Sequence, residues 1–331
     1  MLIATPNLCL DITVRLHRLV PGSVGRAKDT DTSAGGKGVN VARAAATLGA
    51  EPVLCGFLAA EDGARLTDLL AREQLALQPI HVDGVTRVST ILLEDDGRAT
   101  VVNGRGPDIA TDLWQAYRAL IARAAPAAEV LVCSGSLPPG LPVEAYRDLV
   151  EIGHRVGLPV VVDAAPAVLA ATLREAPDLV SPNLSEAESL LFGRTDELVD
   201  EDGDDIAERA LLAATALHRM GAVRAVVTAG ASGAALCSRQ GSWWLPAPRV
   251  QVVNPIGAGD CFVAGAALAL VSGAGDLDIV RRGMATASAS CETATAGRLD
   301  RARAAELFEA IRPRRATVEP GPDAVSAMSR R

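Results

Sequence analysis

The chain has 331 residues, of which 49% are hydrophobic, and it carries a formal net charge of -8 at pH 7 with a sequence pI of about 5.2. This acidic balance, without a long basic block, argues against nucleic acid and against anionic membranes as partners. No apolar stretch reaches the roughly 18 residues of a transmembrane helix, and no basic segment precedes the apolar start of the chain.

The length is sufficient for one large α/β domain, alone or with a smaller one. The six cysteines are far apart and include no Cys-x-x-Cys pair, which indicates buried, reduced thiols in a cytoplasmic protein. The four histidines are equally scattered, so the sequence predicts no metal cluster.

Apolar runs of strand length alternate with amphipathic helical patterns along most of the chain. In chain order, we predict strands at residues 2–4, 53–57, 130–133, 159–162, 179–180, 225–227 and 234–237. Helical patterns cover residues 39–48, 64–73, 112–124, 143–153, 167–174, 186–191, 206–220 and 261–271. This alternation predicts the doubly wound α/β class, a mainly parallel sheet with helices on both faces.

Two segments depart from this alternation, residues 11–32 and 86–103. Both have a β-like composition, and no helix separates either one from its neighbour. The turn Asp95-Asp96-Gly97 lies between two β-like runs, residues 91–93 and 99–102, which is the pattern of a hairpin. We therefore predict a small β-sheet that stands off the main domain as a lid or a dimerisation surface.

Polar residues are concentrated where the predicted strands end. They are Asn7 and Asp11, Ser134 and Ser136, Asp163, Asn183 and Glu186, Thr228 to Gly230, and Asn254 to Asp260. Each group alone could form an ordinary turn or helix cap. In an open parallel α/β sheet the ligand crevice lies outside the carboxyl ends of the strands, so the repetition of polar groups at this edge predicts a binding site.

The segment Asn254-Pro255-Ile256-Gly257-Ala258-Gly259-Asp260 carries the most functional information. We predict an extended run at residues 249–253, then this Gly-rich turn, then a helix whose first N–H groups point outward and bind an anion. A bound phosphate repels the carboxylate of Asp260 unless that carboxylate faces a second reactant and accepts its proton. The alternative interpretation is an ordinary helix start capped by Asp260.

A second Gly-rich motif, Ala34-Gly35-Gly36-Lys37-Gly38-Val39-Asn40, suits a polyhydroxylated or phosphorylated ligand, or forms a flexible surface turn. It is not a P-loop, because Gly38 follows the lysine where Ser or Thr is required. The turn after Ser134 lacks the Gly-x-Ser-x-Gly spacing of a hydrolase, which argues against a serine nucleophile. Phe262 replaces the last glycine of the dinucleotide fingerprint, so a nicotinamide oxidoreductase is the less favoured alternative.

Together these motifs resemble the phosphofructokinase B branch of the ribokinase family, and most closely its subgroup of 1-phosphofructokinases and tagatose-6-phosphate kinases. The similarity extends from Thr5 to about Ile311, nearly the whole chain. Its specific motifs are Gly35 to Arg43, Ser134 to Gly140, Pro182-Asn183 with Glu186, and Gly257 to Asp260.

The resemblance implies a ribokinase-like fold and a division of the chain into parts. The kinase domain is expected to comprise residues 1–10, 35–85 and 105–312, and the β lid residues 11–34 and 86–104. Residues 313–331 are predicted to be a disordered tail, and the acidic residues 196–205 a solvated loop. The lid is expected to form the interface of a homodimer.

The resemblance also implies a role for individual residues, with no direct protein ligand to a metal among them. It assigns the catalytic base to Asp260, the anion hole to Gly257, Ala258 and Gly259, and sugar contacts to Asp11, Gly36, Lys37 and Asn40. It places Arg26, Arg87 and Ser136 near the substrate phosphate, and Asn183, Glu186, Thr228 and Gly230 near the nucleotide and its Mg²⁺.

The implied activity is ATP-dependent phosphorylation of a phosphorylated ketohexose, with ATP and Mg²⁺ as cofactors and fructose 1-phosphate as the leading acceptor. A kinase of tagatose 6-phosphate, of another sugar or of a nucleoside remains open, as does a non-catalytic sensor of sugar phosphates. Three residues depart from the family pattern. Ser181 replaces the usual lysine before Pro-Asn, and in the lid Val101 replaces a glutamate and Arg105 a proline.

Overall fold

A computed structural model describes residues 1–193 and 205–316 of the protein. The strands are β1 (Leu2–Ala4), β2 (Cys9–Leu16), β3 (Asp29–Gly35), β4 (Val53–Ala59), β5 (Ala76–Val82), β6 (Arg87–Glu94), β7 (Ala99–Asn103), β8 (Leu131–Ser134), β9 (Val160–Asp163), β10 (Leu179–Val180), β11 (Arg224–Ala229), β12 (Gly233–Ser238), β13 (Gly241–Pro246) and β14 (Arg314–Arg315). The helices are α1 (Lys37–Thr47), α2 (Gly63–Arg72), α3 (Thr111–Ala124), α4 (Ala145–Arg155), α5 (Pro166–Thr172), α6 (Leu184–Phe192), α7 (Ile206–Arg219), α8 (Ala258–Val271), α9 (Asp276–Cys291) and α10 (Arg301–Ala310).

The main sheet is ten-stranded, with the order β14-β13-β12-β11-β10-β9-β8-β1-β4-β5. Neighbours from β11 to β5 in this order run parallel, and β12, β13 and β14 extend the sheet in antiparallel fashion. From β1 the chain winds outward to β5 on one side and later from β8 to β11 on the other. This arrangement confirms the predicted doubly wound α/β class and places the ligand crevice at the carboxyl ends of the strands near β1.

Successive residues of the central strands face two separate hydrophobic cores. In β8, Leu131 and Cys133 pack in one core and Val132 packs in the other. Helices α3 to α7 cover the first core, whereas α1, α2, α8, α9 and α10 cover the second. Because both faces of the strands are buried, the strands are apolar throughout, which is the reason that they are visible in the sequence.

The two segments predicted to be β-like form a separate four-stranded sheet with the order β3-β2-β6-β7. Strand β2 is antiparallel to β3 and parallel to β6. Strands β6 and β7 form the predicted hairpin, in which Ile91 lies opposite Val101. We refer to this four-stranded sheet as the lid sheet.

One predicted strand is wrong. Residues 249–253 form no strand, and the side chains of Val252 and Val253 are 57% and 58% exposed. The N–H groups of Val253 and Asn254 instead donate to the carbonyl of Cys291 at 2.7 and 3.1 Å. The segment is therefore held at the end of α9, and its β-branched residues do not pair with a described strand.

The predicted disordered tail is also wrong where it begins, because β14 pairs Arg314 and Arg315 with Trp244 and Trp243 of β13. The remainder of the tail, from residue 317, lies outside the described residues, as does nearly all of the predicted acidic loop. In the described part of the chain, no helix has the length and hydropathy needed to cross a membrane. The six cysteines are free thiols, and only Cys291 is incompletely buried.

Candidate active site

A cavity of about 420 Å³ lies between the lid sheet and the carboxyl ends of the central strands. The first turns of α1 and α8, three lid strands and the residues after β8 and β10 line it. Of the predicted site residues, it contains Asp11, Gly36, Lys37, Asn40, Arg87, Ser136, Asn183, Glu186, Gly257, Ala258, Gly259 and Asp260. The fold thus brings together most of these residues from segments that are far apart in the chain.

Helix α8 begins with a turn that only glycine fits well. Gly257 is the N-cap residue, and its φ of 81° lies in the left-handed region. A side chain at this position would also meet the backbone nitrogen of Gly297 at 3.2 Å. No side chain of the described residues caps this helix start, and the N-cap residue is Gly257, so the alternative interpretation of Asp260 as a simple N-cap is wrong.

The turn leaves backbone N–H groups available to an anion. The Asn254 side chain accepts the N–H of Ile256 at 3.0 Å, which fixes the shape of the turn. Within residues 1–193 and 205–316, the N–H groups of Gly257, Gly259 and Asp260 donate to no backbone carbonyl. They lie at the positive end of the helix dipole and line the cavity, an arrangement that favours an anion.

Asp260 lies in the first turn of α8 and is only 5% exposed. The side-chain amide of Asn40 donates from Nδ2 to its Oδ2 at 2.8 Å. Burial raises the pKa of Asp260 to about 7, an effect that Lys37 and Asn40 oppose and that Asp163 and Glu186 reinforce. A carboxylate with a pKa near 7 is well matched to accept a proton from an alcohol at neutral pH.

Lys37 lies between two carboxylates that come from distant parts of the chain. Its Nζ lies 3.1 Å from Asp163 Oδ1 and 3.5 Å from Glu186 Oε1. Burial alone would lower the pKa of Lys37, but the carboxylates of Asp163, Glu186 and Asp260 outweigh it and raise the pKa. The lysine is therefore cationic, and its contacts are with carboxylates at the end of β9 and in the first turn of α6. The sequence marked Asp163 only as a strand-end residue and gave it no role.

Asn183 and Glu186 form a capping box at the start of α6. The Asn183 side chain accepts the Glu186 N–H at 2.7 Å, and Glu186 Oε2 accepts the Asn183 N–H at 3.0 Å. This pair explains the three-residue spacing of the motif and fixes the glutamate at the cavity wall. Burial raises the pKa of Glu186, and Lys37 lowers it. The second oxygen, Oε1, is the one that faces Lys37.

The end of the cavity away from Asp260 carries a guanidinium group. Arg87 Nη1 donates to Ser136 Oγ at 3.0 Å, and Asn7 Nδ2 donates to the same oxygen at 3.1 Å. Arg87 Nε is buried and has no hydrogen-bond partner among the described residues. A second cavity of about 500 Å³, which Arg105 also lines, adjoins this end and shares Arg87 and Ser136. A guanidinium group that lines two adjoining cavities is suited to a phosphate group.

Asp11 lies on the lid side of the cavity, where the Cys9 thiol donates to its Oδ1 at 3.2 Å. Burial raises the pKa of Asp11, whereas this hydrogen bond and nearby guanidinium groups lower it. Asp11 packs against Gly35, where a side chain would approach its carboxylate to 2.1 Å. The close packing restricts the movement of the Asp11 carboxylate at the cavity wall.

Three predicted site residues lie outside this cavity. Arg26 is exposed in the connection between β2 and β3. Thr228 forms an isolated parallel bridge with Asn183, and Gly230 follows it with a φ of 48°. Thr228 and Gly230 therefore lie beside the Asn183 turn at the end of β11, on the side of the site predicted to bind the nucleotide.

The fold and the site define a class of protein. A doubly wound α/β domain with a lid, an anion-binding helix start and a buried carboxylate is typical of enzymes that transfer phosphoryl groups to small alcohols. Residues 4–301 match the model of the pfkB family carbohydrate kinases. The chain belongs to this family and is a carbohydrate kinase by family.

Solved structures of other proteins are similar to this fold over nearly the whole chain. Phosphofructokinase-2 from Escherichia coli in complex with potassium is 25% identical with a TM-score of 0.82, over 94% of this chain and 98% of that chain. A possible 1-phosphofructokinase from Thermotoga maritima is 22% identical with a TM-score of 0.82, over 96% and 99%. Arabidopsis thaliana ribokinase with ribose and ATP is 23% identical with a TM-score of 0.70, over 93% and 98%. These similarities confirm the ribokinase-like fold.

Proposed function

We propose that the protein transfers the γ-phosphoryl group of ATP to a hydroxyl of a phosphorylated ketohexose. The observation that carries the proposal is the buried Asp260, whose pKa is about 7, beside the unused N–H groups at the start of α8. Asp260 accepts the proton of the attacking hydroxyl, and the N–H groups of Gly257, Gly259 and Asp260 bind the negative charge of the transferred group. The lid sheet covers the site and excludes water, which competes as an acceptor.

The nucleotide is proposed to bind on the side of Asn183, Thr228 and Gly230. The carboxylates of Asp163 and Glu186 already hold one cation, Lys37 Nζ, and carboxylate oxygens are the ligands that Mg²⁺ prefers. Lys37 lies between these two carboxylates, and the described residues include no group of three or more His, Cys, Asp or Glu that could hold a metal ion by themselves. Mg²⁺ would therefore be held mainly by the nucleotide phosphates, with one carboxylate at most. When bound, the metal neutralises charge on the nucleotide oxygens.

The acceptor is proposed to carry its phosphate at Arg87 and Ser136, opposite Asp260. Two guanidinium groups, Arg87 and Arg105, line this end in a protein whose formal net charge is -8, and a neutral sugar does not require them. Phosphofructokinase-2 from Escherichia coli has been solved with fructose 6-phosphate, and this chain is 26% identical to it with a TM-score of 0.80. Fructose 1-phosphate is the leading acceptor from the subgroup resemblance, and fructose 6-phosphate and tagatose 6-phosphate are the competitors.

A coupled assay of ADP release tests this proposal across fructose 1-phosphate, fructose 6-phosphate, tagatose 6-phosphate, free fructose, ribose and nucleosides. We expect kcat/KM to be highest for a ketohexose phosphate. Faster turnover of free fructose or ribose than of every hexose phosphate would overturn the acceptor assignment. Thermal stabilisation by a sugar phosphate, with no ADP release from any acceptor, would favour the non-catalytic sensor.

Position 181 provides a test of the nucleotide side. Ser181 is 7% exposed at the end of β10, and its Oγ has no hydrogen-bond partner among the described residues. Ser181→Lys supplies a charge-assisted contact to the nucleotide phosphates, so we expect the KM for ATP to fall about tenfold with little change in the sugar KM. ATP titrations at saturating sugar measure the effect, and Ser181→Met is the uncharged control of similar length. If KM for ATP does not fall, position 181 does not face the phosphates.

The lid is also proposed to be a homodimer interface. Ile91 and Val101 line the cavity, so the alternate residues of these strands face the other way. On that outer face Val102 pairs with Thr90, Thr90 pairs with Ile12, and Val102 is 60% exposed. An apolar sheet face of this kind is buried when a second copy packs against it. A cytoplasmic location remains a prediction from the sequence.

A further inference from the structure

We propose that Arg43, which lies outside the cavity, is a positioning residue that fixes the side-chain amide of Asn40 so that Asn40 donates to Asp260. The inference rests on the proposed function of Asp260 as the base. Arg43 does not line the cavity, and neither composition nor motif spacing assigns it a role.

The contacts form a continuous chain. Arg43 Nη1 donates to Asn40 Oδ1 at 2.9 Å, and Asn40 Nδ2 donates to Asp260 Oδ2 at 2.8 Å. Asn40 and Arg43 are three residues apart on α1, so they share one face of the helix. All three residues are buried, at 5%, 4% and 5% exposure for Asn40, Arg43 and Asp260.

The orientation of Asn40 follows from the chemistry of its two neighbours. A guanidinium group has only donors, and an ionised carboxylate has only acceptors. The amide oxygen of Asn40 must therefore face Arg43, and its NH₂ group must face Asp260. In the flipped orientation the amide oxygen of Asn40 would face Asp260 Oδ2 and its NH₂ group would face the guanidinium of Arg43, so both hydrogen bonds would be lost. Arginine remains charged at every pH at which proteins fold, so it holds this orientation throughout.

Arg43 is itself rigidly held. Its Nε and Nη2 donate to the two oxygens of Glu73 at 2.6 and 2.7 Å, and Nη2 also donates to the Ala34 carbonyl at 2.5 Å. Glu73 accepts a further bond from Arg298 at 3.1 Å. Burial alone would raise the pKa of Glu73, but Arg43 and Arg298 lower it, so the glutamate stays ionised. The bidentate pair fixes the guanidinium plane and, through it, the Asn40 amide.

These hydrogen-bonded residues also pack against the connection between α9 and α10. A side chain at Gly297 would approach Asn40 Cα to 2.9 Å and Arg43 Cδ to 3.2 Å, so this backbone packs directly on both residues. Asp260 faces Lys37 and Asn40 from α1, Asp163 from β9 and Glu186 from α6. Among these described neighbours, Asn40 donates a hydrogen bond directly to the carboxylate of Asp260, so the orientation of Asn40 sets the direction of the carboxylate.

A double-mutant cycle in the full-length protein tests the inference. We expect Arg43→Met to lower kcat about tenfold at saturating substrates, with the KM for ATP unchanged, because the base is misdirected and the nucleotide side is untouched. In an Asn40→Ala background the same change is expected to lower kcat less than about twofold, because Arg43 acts only through Asn40. Arg43→Lys, which restores a donor, is expected to recover part of the loss.

The matched control is Arg224→Met. Arg224 is also partly buried and pairs with a carboxylate, Asp276 Oδ1 at 2.6 Å, but it lies at the amino end of β11, away from the cavity. Arg224→Met is expected to lower Tm without lowering kcat.

Equal losses of kcat from Arg43→Met in both backgrounds would overturn the positioning role. They would indicate that Arg43 supports the folding of α1 in general. If Arg43→Met does not fold, Glu73→Gln in the same two backgrounds replaces it, because it loosens Arg43 and leaves the guanidinium present. A wild-type protein without kinase activity would instead defeat the proposed function.

Discussion

Replacement of Asp260 with asparagine is expected to lower kcat by about 10²- to 10⁴-fold. The carboxylate has a pKa of about 7, so it exchanges protons near neutral pH, whereas an amide of the same size accepts none. Because the base acts as the phosphoryl group is transferred, the KM values for ATP and sugar are expected to change only a few-fold. Steady-state kinetics in the coupled ADP assay, with each substrate varied in turn, measure both effects.

The same variant has a clear expectation for stability. Burial raises the pKa of Asp260 from 3.8 to about 7, so between these values the native state holds a proton that the unfolded chain has released. The free energy of unfolding therefore falls as pH rises through this window. The full loss, which comes from ionising the buried Asp260, is reached above pH 7. Asp260→Asn removes this loss, so its Tm above pH 7 is expected to be no lower than that of the wild type.

Asp276 provides the matched control for Asp260. It is also 5% exposed and lies in the first turn of a helix, α9, but it pairs with Arg224 away from the cavity. Asp276→Asn is expected to lower Tm and to leave kcat unchanged. Near-normal kcat in a folded Asp260→Asn protein would show that another group accepts the proton of the acceptor hydroxyl.

The sequence predicts the fold well where burial alone determines the pattern. Strands such as β8 and β9 are buried on both faces, so each is an uninterrupted apolar run. Strand β5 is not recognised, because it lies at the edge of the sheet, contains Pro79 and alternates exposed with partly buried residues. Residues 249–253 mislead for the opposite reason. Their β-branched residues favour a strand, but tertiary contacts with Cys291 determine their conformation.

The sequence predicts the parts of the candidate site in which polar residues recur at the strand ends along one edge of the sheet. It does not predict the contacts between side chains that are distant in the chain. The Gly-rich turn and Asp260 are visible as a local motif. The hydrogen bond from Asn40 to Asp260 spans 220 residues, and that from Lys37 to Asp163 spans 126. No local pattern encodes such pairs, because they depend on the order of strands in the sheet. Arg26 was assigned by resemblance alone, and the single chain does not bring it into the cavity.

Arg87→Met is expected to raise the KM for the phosphorylated acceptor by about 10- to 100-fold, with a smaller effect on kcat. Arg87 Nη1 donates to Ser136 Oγ at 3.0 Å, and its buried Nε has no partner among the described residues. A phosphate group placed here gains charge-assisted hydrogen bonds that methionine does not provide. The KM for ATP is expected to change little, because Arg87 also lines the second cavity, whose described lining includes no residue from the start of α8.

The decisive comparison is between acceptors with and without a phosphate. If Arg87 binds the phosphate, Arg87→Met reduces kcat/KM for the ketohexose phosphate far more than for the free sugar, and the selectivity of the enzyme collapses. Arg118→Met on α3 is the matched control. The Nε of Arg118 is also buried without a hydrogen bond in the described chain, although it forms an ion pair with Asp148 Oδ2 at 3.4 Å, and Arg118 lines neither cavity. Arg118→Met is expected to leave both kcat/KM values unchanged. Equal losses for both acceptors in Arg87→Met would place the phosphate elsewhere, because a lost phosphate contact cannot affect a sugar that has none.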